Sequence, residues 1–176
     1  MQNGDLLFVR SKNSKFEQMI ADSTSQKHDY THVGILIDKQ VINATTKHGC
    51  IKQSLDEFVS EQKAPIDIFR IMNKRIDFDL IQQHAKSMLG LPYNHSFIQA
   101  DKGLYCSELI TEIFKDYHIF KLKPLNFGTG EQVKYWKQYY QKLRLTLPTN
   151  ELGSSPNSLV DSDKLKFVDK IKRSPY

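Results

Sequence analysis

The sequence predicts an α+β domain built around a small antiparallel sheet. Short apolar runs rich in β-branched and aromatic residues crowd residues 4–71, and the long stretches of helical periodicity come after residue 77. Nothing alternates strand with helix in the way that builds a parallel sheet. A chain of 176 residues is enough for one domain with a real core and short for two.

The elements follow in order. Gly4-Asp5-Leu6-Leu7-Phe8-Val9-Arg10 reads as a strand. Ser14 can cap a helix through Ile20, with Phe16, Met19 and Ile20 on one face, and 23–30 is polar and loop-like. Thr31 to Ile37 is the clearest strand; Asp38-Lys39-Gln40 reads as a turn, and Val41 to Thr45 as the returning strand of a hairpin. Gly49 to Gln53 suggests a further strand. Ser54 opens a short helix, with Glu57 three residues on as its capping-box partner. Ile66 to Ile71 alternates like a strand. Asp77 to Leu89 reads as a helix stopped by Gly90 and Pro92. In the next helix, Leu104 to Tyr117, residues Cys106, Leu109, Ile110, Ile113, Phe114 and Tyr117 share a face. Glu131 to Leu143 is a third, aromatic-rich helix. Beyond Pro148 the chain turns polar: 150–163 reads as a loop, and Lys164 to Arg173 as a final basic helix or a frayed tail. The domain reading is therefore 1–148 as the catalytic unit and 149–176 as a loop-rich extension packing on or trailing from it.

Composition removes several function classes. The formal net charge is +5, but the basic residues are spread out and form no compact Arg-rich stripe, so nucleic acid is not an expected partner. No run approaches the ~20 apolar residues that span a bilayer. There is no charged-then-apolar signal peptide, which fits a cytoplasmic protein or one whose export signal has been removed. The two cysteines, Cys50 and Cys106, lack any CxxC or Cys/His metal spacing, so a structural zinc site is not expected.

Three residues stand out chemically. Cys106 lies at a predicted helix start, where unpaired N–H groups and the helix dipole stabilise a thiolate, the nucleophilic form. It also fits as a small core residue on the helix's buried face. His32 occupies an apolar strand, an expensive place for an imidazole unless it is paired. It reads either as a general base or as a core histidine satisfied by a carbonyl. Asn43 is out of place among Val41, Ile42 and Ala44. Should it pair opposite Gly34, it lies diagonal to His32 on the same face of the hairpin, where it could fix the ring; a one-residue slip would send it to the other face. A loop-edge asparagine is the alternative. His95, in the loop after Pro92-Tyr93-Asn94, is the rival base. Cys50 reads as structural.

In this order the motifs resemble a known family. Gly4-Asp5-Leu6, Thr31-His32-Val33-Gly34-Ile35, Val41-Ile42-Asn43-Ala44, Gly90-Leu91-Pro92-Tyr93-Asn94 and Tyr105-Cys106-Ser107-Glu108-Leu109-Ile110 are similar to NlpC-type papain-like cysteine hydrolases. The histidine strand precedes the cysteine helix, as in the circularly permuted, YiiX-like branch, which is akin to lecithin:retinol acyltransferases. Gly153 and Pro156 also look like that branch. The resemblance implies a permuted papain-like fold, a small antiparallel sheet or half-barrel packed against helices. It implies a catalytic Cys106, His32 and Asn43, with the Cys106 backbone N–H and the hydroxyls of Tyr93 or Tyr105 as oxyanion donors, and no metal or organic cofactor. The position of Asn43 is more often acidic in this branch; asparagine keeps the orienting role without the full charge. The implied activity is a cysteine amidase or peptidase working through a thioester, on a peptide or acyl-amide substrate of cell-wall or lipid origin. The alternatives are a lipid-type N-acyl amide or ester hydrolase or acyltransferase, a non-catalytic binding module on the same fold, and a basic binder using the 164–173 tail.

Overall fold

A computed structural model describes residues 1–11, 14–73, 75–99 and 101–171. In chain order its elements are β1 (Leu6–Arg10), α1 (Lys15–Thr24), β2 (Tyr30–Ile37), β3 (Gln40–Thr45), β4 (Gly49–Ser54), α2 (Leu55–Gln62), β5 (Ile66–Ile71), α3 (Phe78–Ser87), α4 (Cys106–Ile113), a 3-10 turn (Lys115–Tyr117), β6 (Lys123–Pro124), α5 (Glu131–Lys142), β7 (Leu152–Gly153), α6 (Pro156–Val160) and β8 (Leu165–Ile171). Six strands form one antiparallel sheet in the order β4-β3-β2-β1-β5-β8, and β6 pairs with β7 apart from it. This is the α+β architecture that the sequence predicts.

Local chemistry accounts for most boundaries. Ser14 accepts a bond from the Glu17 N–H to start α1, which runs four residues beyond the expected end, to Thr24. The β2–β3 hairpin turns on Asp38 and Lys39, both at positive φ (51° and 62°), the backbone of a primed two-residue turn. Ser54 and Glu57 form the expected capping box of α2, and Asp77 caps α3. The cysteine helix is shorter than its periodicity suggests: it ends at Ile113 and the chain tightens into the 3-10 turn.

The region after Pro148 departs most from expectation. The polar stretch 150–163 holds β7 and α6. Within the expected helix or tail at 164–173, residues 165–171 form a strand paired with β5, and residues 172 and 173 lie outside the described residues. Without it β5 would be a bare edge with unpaired N–H and C=O groups, and Phe167 packs edge-on against Phe69 across the ladder. That gain, together with the β-prone Phe167, Val168 and Ile171, outweighs the helical preference of the lysines.

The sheet buries both faces. On one, Phe8, Val33, Ile35 and Ile42 meet Leu109, Ile110 and Ile113 of α4. On the other, Leu7, Val9, Leu36 and Val41 meet Phe58 of α2. A separate aromatic cluster around Phe127, Trp136 and Tyr140 joins α5 to α1. Buried Asp5 takes a two-pronged bond from Arg70, at 2.7 and 2.9 Å, which ties β1 to β5.

Candidate active site

The hairpin register places Asn43 opposite Gly34. A Cβ on residue 34 would lie 2.6 Å from Val41 Cγ1 and 3.2 Å from Asn43 Cβ, so the glycine leaves the space that Asn43 needs. Asn43 lies diagonal to His32, and its Oδ1 is 2.9 Å from His32 Nε2. The imidazole also stacks on Phe58, ring centres 6.0 Å apart. His32 and Asn43 therefore share the α2 side of the sheet.

Cys106, at the head of α4, belongs to the core on the other side. The two sides meet where the ladder opens. Pairing of β2 with β3 stops at Gly34–Asn43, while Ala44 and Thr45 continue against β4. The Leu36 N–H bonds to Asp5 on β1, so by alternation the Val33 N–H faces the opening. It points at the Cys106 sulfur, as do the N–H groups of Cys106 itself and Ser107. The sulfur thus rests against the backbone of the residue that follows His32.

The electrostatics of this pocket are set by burial. Cys106 is 6% exposed, and burial pushes its thiol up to about 12 against the pull of the three N–H groups. At neutral pH it rests as a thiol, so a nucleophile forms only when a base takes the proton. Cys50 is raised to about 11 by burial, and both cysteines are free of disulfides.

Tyr93 and Tyr105 both line the cavity beside Cys106. Burial holds the Tyr93 hydroxyl well above its usual range, so it remains a donor. The Tyr105 hydroxyl accepts the Ser154 N–H at 3.0 Å, which ties the N-cap of α4 to the segment after β7. His95 is exposed, with its ring against Tyr93.

Sequence reasoning missed Glu108. It is buried at the third position of α4, and its Oε2 accepts from the Tyr105 N–H at 3.2 Å and from Asn94 Nδ2 at 3.1 Å. It closes the helix start as a capping box does, but the N-cap is tyrosine rather than serine or threonine, so the usual signature is absent. Burial raises its carboxyl to about 7.

The cavity measures about 190 Å³. Ile20, Phe97, Leu125, Phe127 and Trp136 form apolar wall, and Gly153 to Pro156 another part of it. Ser107 and Ser154, also in the wall, carry buried hydroxyls without hydrogen-bond partners among the described residues.

Comparison with known proteins bears on the family and the fold. The uncharacterized protein YiiX of Escherichia coli (strain K12) is 26% identical over 183 residues, which cover 96% of this chain and 86% of that protein. A crystal structure described as metalloprotein YiiX from Escherichia coli O157:H7 matches with a TM-score of 0.82 at 24% identity, over 97% of each chain, a likeness of fold. Among the described residues no group of three or more His, Cys, Asp or Glu side chains is placed to hold a metal ion. The family model of the permuted papain-like amidases, described as YaeF/YiiX, C92 family, matches residues 1–169. With its histidine strand ahead of its cysteine helix, the chain belongs to the permuted papain-like amidase family.

Proposed function

We propose that the protein cleaves an amide through a thioester acyl-enzyme, with Cys106 as nucleophile, His32 as base and Asn43 as the residue that orients the imidazole. The observation that carries this is the Cys106 sulfur at the head of α4, facing the backbone N–H of Val33, the residue that follows a histidine fixed by Asn43. His32 takes the thiol proton as sulfur bonds to the carbonyl carbon. The C–N bond breaks, and His32 returns the proton to the leaving amine. Water, activated by the same imidazole, then displaces the thiol and releases the acid. The Cys106 N–H and the Tyr93 hydroxyl are suited to the oxyanion.

The apolar aromatic wall favours a substrate whose acyl part is hydrophobic, a lipid-like N-acyl amide, over a polar wall peptide lying in an open groove. Ser107 and Ser154 offer hydroxyls to its polar atoms.

The test joins a thiol-directed activity probe, read by mass spectrometry, to a substrate screen. Wild type should be labelled at Cys106. Cys106→Ala should abolish labelling, and His32→Ala should slow it by about 10²–10⁴-fold. N-acyl amides should be cleaved faster as the chain lengthens, and wall peptides poorly. Labelling centred on Cys50, or equal labelling of wild type and His32→Ala, would sink the enzyme mechanism. A preference for wall peptides would sink only the substrate class.

A further inference from the structure

The hydrogen bonding around His32 continues past Asn43. Asn43 Nδ2 donates to Gln53 Oε1 at 2.9 Å, and Gln53 Nε2 donates to Glu61 Oε2 at 2.9 Å. Asn43 is fully buried, Gln53 is 9% exposed, and Glu61 lies exposed on α2. Four side chains, from β2, β3, β4 and α2, thus form one line from the imidazole to a surface carboxylate.

The carboxylate gives that line a direction. An ionised carboxylate only accepts hydrogen bonds. Gln53 must therefore turn its NH2 to Glu61 and its oxygen to Asn43. Asn43 must give its NH2 to that oxygen, which leaves its own oxygen facing His32 Nε2. A ring nitrogen facing an acceptor carries the proton, and in a neutral imidazole the other nitrogen, Nδ1, is then the basic one.

We infer that Gln53 and Glu61 are positioning residues that lock His32 in the tautomer whose Nδ1 accepts the Cys106 proton. This rests on the cysteine-amidase reading above and adds two residues to it. It also accounts for an amide rather than an acid at position 43. A carboxylate there could not donate to Gln53. Gln53 would have to turn its NH2 to residue 43 and its oxygen to Glu61, setting two acceptors face to face. With asparagine in place, the negative charge acts on the imidazole through two aligned amides.

The test reads tautomer and reactivity together. The protein is labelled with 15N-histidine, and the ring nitrogens of His32 are observed by long-range 1H–15N correlation at about pH 8, where an ordinary imidazole is neutral. The alkylation rate of Cys106 by iodoacetamide is measured alongside, in wild type, Gln53→Ala and Glu61→Ala. Wild type should show His32 protonated at Nε2. Both variants should show mixed tautomers and alkylate Cys106 about tenfold more slowly. Glu61 is exposed, so its variant keeps the test alive should Gln53→Ala fail to fold. An Nδ1-protonated wild type, or a Glu61→Ala protein with unchanged tautomer and rate, overturns the inference. His32→Ala separates the two levels. If it leaves alkylation unchanged, the amidase mechanism itself fails. If it slows alkylation while Glu61→Ala does not, only the role of the line fails.

Discussion

At Glu108 two demands compete at a single carboxyl. Its oxygen closes the start of the cysteine helix, yet burial resists its charge and raises it from an ordinary 4.5 to about 7. The folded state therefore holds a proton that the unfolded state releases. Below about pH 4.5 both states are protonated and nothing is lost; as pH rises towards 7 the unfolded state is increasingly favoured. Relative to Glu108→Gln, wild type should lose on the order of 3 kcal/mol between these limits, measured by urea unfolding at several pH values. A pH-independent difference between the two proteins would show that Glu108 is not held this way. Cys106 has the same sign at higher pH, which is why the proposed mechanism needs a neighbouring base rather than a standing thiolate.

At the scale of the element, the β2–β3 hairpin decides whether the proposed site can form. Its two-residue turn sets the register, the register puts Asn43 opposite Gly34, and Gly34 leaves room for Asn43 beside His32. Gly34→Ala would drive a methyl to 2.6 Å from Val41 and 3.2 Å from Asn43. It should cost about 1–3 kcal/mol in urea unfolding, as overpacking does, and slow Cys106 alkylation by shifting Asn43 from His32. A variant as stable and as reactive as wild type would show that the hairpin tolerates a wider spacing. The end of the hairpin matters equally. Had β3 stayed paired with β2 beyond Gly34, the Val33 N–H would be spent in the ladder and unavailable to the Cys106 sulfur.

At the scale of the molecule, we propose that the stretch after Pro148 is part of the catalytic domain and not an appendage. It supplies β8 to the sheet edge, Gly153 to Pro156 to the cavity wall, and Asn157, whose side chain accepts the Tyr30 N–H and donates to Thr24. A chain ending at residue 148 should lose cooperative thermal unfolding by circular dichroism and aggregate through the uncovered β5 edge. A truncated protein that melts cooperatively and still labels at Cys106 would refute this.

Much of the fold was legible because its signals are local. Serine and aspartate caps, the capping box of α2, the hairpin turn and the one-faced periodicity of the cysteine helix all act within a few residues. Cys106, His32 and Asn43 could be singled out because each is a polar or reactive residue in an apolar setting, and their order in the chain pointed to the permuted family. The sequence could not show β8, since a lysine-rich segment becomes a strand only when an unpaired edge lies beside it. Nor could it show Glu108 and Gln53 bonded to side chains of other segments, or the cavity serines whose buried hydroxyls have no partner among the described residues. Local propensity and hydrophobic period determined most of the elements up to Pro148, and the order of the motifs pointed to the family. The meeting of a buried sulfur with the backbone beside His32, and the direction of the hydrogen bonds behind that ring, were decided only when the sheet opened around the helix, because burial and pairing are properties of the assembled chain.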